Sequence, residues 1–162
     1  MIRAATEADI PGLLAIYNQV ILTSTAIYHH TPLPLEDRLA WFRARRAAGH
    51  PVLVAEDAKG IAGYSSFGDW RGSWPGYRHT VEHSVHVRDD TRGQGLGRAL
   101  VEALFAPARA MDMHVMLGGV DAENEASLRF HAGLGFEKVA HFRQVGRKFD
   151  LWLDLVFVQK IL

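Results

Sequence analysis

The 162-residue chain is 48% hydrophobic and 22% charged, with 18 basic residues balancing 18 acidic ones. That size suits a single domain over 1–162 with a full core, and zero formal charge argues against nucleic acid or an anionic membrane as the main partner. With no cysteine, disulfides, thiolate-held metal and a cysteine acyl-enzyme are excluded. No apolar run reaches the ~18 residues of a membrane span and the N-terminus lacks a signal-peptide core, so a cytoplasmic location is the expectation.

Ile2 to Ala4 reads as a short strand. Thr6 is a candidate N-cap with Asp9 three residues on, and Ile10, Leu13, Leu14 and Tyr17 form a helical apolar stripe. An irregular segment from Thr23 ends at Pro32 and Pro34. A second helix runs from about Leu35 to Ala48, with Leu39 and Phe42 inward and Gly49 as its stop. Pro51–Glu56 and Ile61–Phe67 read as a hairpin, and Gly68–Arg78 as a loop. His79–Val87 is the central strand. A helix follows from about Gly95 to Met111, then a strand at His114–Val120 and a helix at Asn124–Leu134. Phe136–Val145 and Phe149–Val158 close the chain as an antiparallel pair turning at Gly146–Arg147. The pattern is α/β: one mixed, mostly antiparallel sheet flanked by helices.

The segment Thr80–Arg98 carries the most chemical information. Along the strand, Thr80, Glu82, Ser84 and His86 share one face, and Val81, His83, Val85 and Val87 the other. A polar row on an interior strand is costly unless its members are paired or used. Glu82 is therefore a candidate base, with a half-wet strand as the alternative. The strand runs into Arg92, Gly93, Gln94, Gly95, Leu96, Gly97 and Arg98, which open an amphipathic helix. Glycines admit close backbone approach, and a helix N-terminus offers free N–H groups to an anion. This cluster has neither dinucleotide-fold spacing nor a P-loop lysine. A phosphate cradle beside a base is the pairing that acyl-CoA-dependent transfer requires; a plain turn is the alternative.

On the late helix, Asn124, Leu128 and His131 share a stripe. His131 is either a proton carrier or a satisfied histidine at the edge of the core. His79, His83 and His86 do not share one face, which argues against a metal site. Trp70, Arg71, Trp74, Tyr77 and Arg78 mix guanidinium groups with aromatics, a composition suited to a small amphipathic acid or to a solvated loop.

These residues resemble the GNAT superfamily of acetyl-CoA-dependent N-acetyltransferases. The pyrophosphate motif Arg/Gln-x-x-Gly-x-Gly/Ala is matched by Arg92–Gly97. NEASLRFHAGLGF at Asn124–Phe136 is similar to the late-helix motif, with Ser127 and Phe130 as mild departures and His131 at a tyrosine position. TVEHSVHV, HVMLGGVDAENEAS and VGRKFDLWLDLVFVQ resemble the phosphinothricin and methionine sulfoximine acetyltransferase group over nearly the whole chain. His86 departs from that group's tyrosine, and Asp150-Leu151 from its Gly-Arg; Gly72-Ser73 replace an expected apolar contact. The resemblance implies the GNAT fold and direct acetyl transfer to the α-amine of a small L-amino acid or analogue. Glu82 would serve as base, and His131 would protonate the thiolate or orient a water that does. Arg71, Gly72, Ser73, Glu82, His83 and Ser84 would line the substrate, and the composition of the Trp70–Arg78 loop adds Arg78 as a candidate for its carboxylate. Val85, His86, Val87, Arg92 to Arg98 and Asn124 would hold acetyl-CoA, with no metal. It also implies a homodimer. A protein N-terminal or lysine acetyltransferase and a non-catalytic CoA sensor are the competing readings.

Overall fold

The computed structural model describes all residues, 1–162. Its strands are β1 (Ile2–Ala4), β2 (Val52–Asp57), β3 (Gly60–Asp69), β4 (Thr80–Val87), β5 (Val115–Asp121), β6 (Glu137–Lys148) and β7 (Leu151–Ile161). Its helices are α1 (Ile10–Thr23), α2 (Leu35–Ala47), α3 (Leu96–Ala110) and α4 (Glu125–Gly133). The seven strands form one sheet in the order β1-β2-β3-β4-β5-β7-β6.

Local signals set the ends. Thr6 and Asp9 cap each other reciprocally ahead of α1, and Pro11 occupies its first turn. Asn124 caps α4 by accepting the Ser127 N–H at 3.0 Å. Each sheet face then buries one pair of helices. Ile10, Leu13 and Ile16 of α1 and Phe42 of α2 pack on Val52, Val54 and Tyr64. On the other face Val101, Leu104 and Ala108 of α3 pack on Phe67, Val81, Met116, Val156 and Val158, joined by Leu134 and Phe136. Each of the larger apolar side chains removed from water contributes roughly 1.5–3 kcal/mol before entropy is counted.

One parallel pairing interrupts the antiparallel sheet. β4 meets β5 over three residue pairs only, Thr80–Val115, Val81–Met116 and Glu82–Leu117. β4 runs on to Val87 without that neighbour, so the two strands part just past Glu82. The gap at the centre of the sheet is the feature that positions the site.

The last hairpin turns later than expected. Gly146 lies within β6, paired with Leu153, and the turn falls at Phe149–Asp150, both with positive φ (51° and 61°). Gly146 serves close packing: a Cβ there would stand 2.5 Å from the Tyr28 ring. The glycine that looked like a turn residue makes room for an aromatic side chain.

Candidate active site

A cavity of about 770 Å³ occupies the gap between β4 and β5. Glu82 to Val87 run along one side, Gly118 and Gly119 lie across from them, and the α3 loop and α4 close one end. The two glycines keep it open. A Cβ on Gly118 would come within 2.9 Å of His83 and 3.2 Å of His131, and one on Gly119 within 3.2 Å of the Glu82 carboxylate. Sequence reasoning passed over this pair, although adjacent glycines inside a strand signal a close approach.

Glu82 is half-buried, and desolvation pushes its carboxyl above the usual range, opposed only by the nearby charge of Arg45. The backbone of β4 offers a donor as well. The His79 carbonyl accepts the Val115 N–H, so odd-numbered residues of β4 direct their polar backbone groups toward β5. Because the pairing stops at Glu82, the N–H of Val85 is directed into the gap.

The glycine loop fits a polyanion. The N–H groups of Gly93 to Arg98 make no backbone hydrogen bond within the protein. Gly93 and Gly95 have positive φ (74° and 79°), and open space lies where their side chains would be. Arg92 pairs with Asp89 at 2.7 Å and Arg98 with Glu102 at 2.9 Å, so backbone N–H groups are the free donors here.

His83 and His131 lie on the opposite sheet face from Glu82, with their Nε2 atoms 3.1 Å apart. Burial pushes His83 down to about 3 and lowers His131, so both are neutral near pH 7. The tautomers follow from the partners. His131 Nδ1 lies 2.7 Å from the Ser127 carbonyl, which can only accept, so Nδ1 holds the proton and Nε2 is an acceptor. His83 must then donate through Nε2, leaving its Nδ1 bare; that atom is buried without a partner.

Comparison with known proteins now decides the lineage. Residues 13–136 match the model of the acetyltransferase (GNAT) family. The chain belongs to the GNAT family of acetyltransferases. It is 53% identical over 159 residues to the L-methionine sulfoximine/L-methionine sulfone acetyltransferase of Pseudomonas paraeruginosa, covering 98% of this chain and 92% of that one. It is 32% identical over 162 residues to the phosphinothricin N-acetyltransferase of Streptomyces coelicolor, covering 98% and 94%. The acetyltransferase yncA of Salmonella typhimurium, solved with its cofactor acetyl-CoA, matches at a TM-score of 0.96 and 46% identity, over 100% of this chain and 93% of that one. The GNAT fold and the N-acetyltransferase activity follow, with acetyl-CoA as co-substrate.

This GNAT enzyme gathers some of the expected residues and leaves others apart. Glu82, His83, Ser84, Val85, His86, Val87, Arg92, Gly93, Gly95 to Arg98, Asn124 and His131 all border the cavity, and Gln94 sits on the outer side of the loop. Arg71, Gly72, Ser73 and Arg78 are exposed and do not line it. Arg71 instead lies against Trp70 and Tyr77, at 5.6 and 5.3 Å from their rings, so this loop does not form the wall expected of it within one chain. The aromatic wall comes from Tyr17, Trp41 and Tyr64 around Arg38. A detectable sign of it was Arg38, Trp41 and Arg45 at i, i+3 and i+7, a basic and aromatic stripe beside the apolar one. A neutral His131 also has no proton to give at Nε2, which works against the expected role as acid to the thiolate.

Proposed function

We propose that this enzyme, a single catalytic domain, acetylates the α-amine of a small L-amino acid of the methionine sulfone or methionine sulfoximine kind. The observation that carries this reading is Glu82, half-buried and with its pKa raised, beside a cavity that runs to the open N–H groups of Gly93–Arg98. The named activity of the Pseudomonas relative points to the same acceptor class, with the phosphinothricin enzyme at greater distance.

Acetyl-CoA supplies an acetyl thioester. The loop from Gly93 to Arg98 binds its pyrophosphate through backbone N–H groups and the α3 N-terminus. Glu82 takes a proton from the substrate ammonium, directly or through one water, freeing the nitrogen lone pair for attack. The Val85 N–H donates to the carbonyl oxygen that turns negative as the C–N bond forms. As the C–S bond breaks, the thiolate regains a proton from solvent-connected groups, and the His83–His131 pair holds the wall of the gap in place. Val85 and His131 therefore serve positioning and electrostatic roles, and Glu82 the chemical one.

The exposed apolar side chains Phe142, Val145, Leu151 and Trp152 of the β6–β7 hairpin support a homodimer through that hairpin. No helix is long and apolar enough to cross a membrane.

Release of free CoA thiol, measured with acetyl-CoA across methionine sulfone, methionine sulfoximine, other L-amino acids and a peptide with a free N-terminus, tests this reading. Turnover confined to the peptide would transfer it to protein acetylation. Acetyl-CoA binding without turnover of any amine would make the protein a sensor.

A further inference from the structure

Away from Glu82, an unusual group bordering the cavity is Arg38. It is 5% exposed, yet it takes part in none of the chain's ion pairs. Its Nε is buried without a hydrogen-bond partner. A buried guanidinium stays charged and is costly without a partner. Its guanidinium carbon lies over two rings, 3.7 Å from the Tyr17 centroid and 4.6 Å from that of Trp41. Stacking of this kind stabilises the cation face-on and leaves the N–H groups at its edge unsatisfied. A second orphan accompanies it: the Tyr64 hydroxyl is buried and unpaired. Among the other groups at this end of the cavity, His86 is kept neutral by burial and by the charges of Arg38 and Arg92, down to about 4, and Arg45 is a further cation. No carboxylate of the protein answers Arg38, and Glu82 feels the charge of Arg45 only.

We infer that Arg38, with the Tyr64 hydroxyl, binds a two-oxygen group of the acceptor amino acid. A guanidinium edge presents parallel N–H donors that match two oxygens on one atom, as in a carboxylate or a sulfone. The aromatic rings that hold the fork also border the cavity, so they make its apolar surround. The assignment rests on the amino-acid reading above and specifies it: Glu82 meets the amine, and Arg38 meets oxygens elsewhere on the same molecule. It differs from the expectation for Arg71 and Arg78, which are exposed and lie outside the cavity of a single chain.

The test is a matrix of substrates and variants. Wild type, Arg38→Met, Arg38→Lys and Tyr64→Phe are assayed by thiol release with L-methionine sulfone, L-methionine and L-methionine sulfone amide. Acetyl-CoA affinity by calorimetry serves as the folding control. Arg38→Met raises KM by about 10- to 100-fold for the substrate that carries the recognised group, the usual effect of losing a charge-assisted pair. A deficit larger for the acid than for the amide assigns the carboxylate. A deficit larger for the sulfone than for the thioether assigns the side-chain oxygens. Arg38→Lys keeps the charge but loses the fork, so it shows the same selectivity at smaller size, and it decides the matter if Arg38→Met does not fold. Equal loss across all three substrates, as a purely structural arginine would give, overturns the assignment. If wild type turns over none of them, the amino-acid reading fails instead. Methionine sulfone binding to wild type and Arg38→Lys in the presence of CoA then judges Arg38 alone, and equal affinity overturns its role.

Discussion

Gly119 of β5 faces Glu82 of β4 across the widening gap, and a single methyl group on Gly119 would stand 3.2 Å from the carboxylate. The neighbouring Gly118 bears the same relation to His83 and His131 on the other sheet face. Adjacent glycines thus clear both faces of the sheet where its two central strands diverge.

Gly119→Ala is expected to displace the Glu82 carboxylate and lower kcat/KM for the amine by ~10-fold or more, since small misplacements at the reacting centre are costly. Acetyl-CoA affinity stays near wild type. Gly118→Ala should act differently: it forces a Cβ toward two buried imidazoles, so the expected loss is ~1–3 kcal/mol of stability. Urea unfolding and steady-state kinetics on both variants separate the effects. Identical behaviour of the two would count against distinct roles for the faces.

Glu82→Gln preserves shape and removes the proposed base. The expected fall in kcat/KM is ~10²–10⁴ near neutral pH, with acetyl-CoA binding retained. Burial raises the Glu82 pKa, so its basic form is present above that raised value and is lost as pH falls through it. The wild-type acid limb of kcat/KM should therefore lie above the ordinary carboxylate range and be absent in the variant. The deficit should narrow at high pH, where the amine is already neutral. A deficit constant with pH would make Glu82 a positioning group.

Gly95 has φ of 79°, a conformation that costs other L-residues roughly 1–2 kcal/mol. Its open surroundings mean that Gly95→Ala meets no protein atom. Any loss of acetyl-CoA affinity beyond the modest stability change therefore reports on the bound pyrophosphate. Calorimetry is expected to show at least ~10-fold weaker binding, from distorted N–H groups and the added methyl. Unchanged affinity in a folded variant would remove the loop from the binding site.

His83 titrates from an ordinary unfolded value of 6.5 down to about 3 in the folded protein. Between those values the unfolded chain binds the extra proton, so stability rises with pH and is lost on acidification from about 6.5 downward. One such group contributes up to ~1.4 kcal/mol per pH unit. Between pH 7 and pH 5, where most carboxylates remain ionised, wild type should lose more stability than His83→Gln. Urea midpoints falling in parallel for the two proteins would show that His83 does not carry the effect.

Local chemistry accounts for much of what could be read from the chain. The Thr6–Asp9 cap, the apolar stripes of α1 and α3, the polar row at Glu82 and the glycine loop are all short-range patterns, and each lies where its pattern implies. The sequence alone thus determined the element order, the open glycine loop and the position of Glu82 ahead of it. Tertiary structure decided the rest, because it depends on which distant segments meet. The turn lies at Phe149–Asp150, and Gly146 is instead a strand residue that makes room for the Tyr28 ring. His83 became the donor of its pair because the fold sets it against His131, 48 residues away, whose Nε2 the Ser127 carbonyl has made an acceptor. Arg38 became an unpaired cation of the cavity because α2 lays it against Tyr17 and Trp41, whereas Arg71 and Arg78 are exposed in the single chain. Charge in a sequence marks a residue that can bind an anion; only packing shows which arginine is left without a partner.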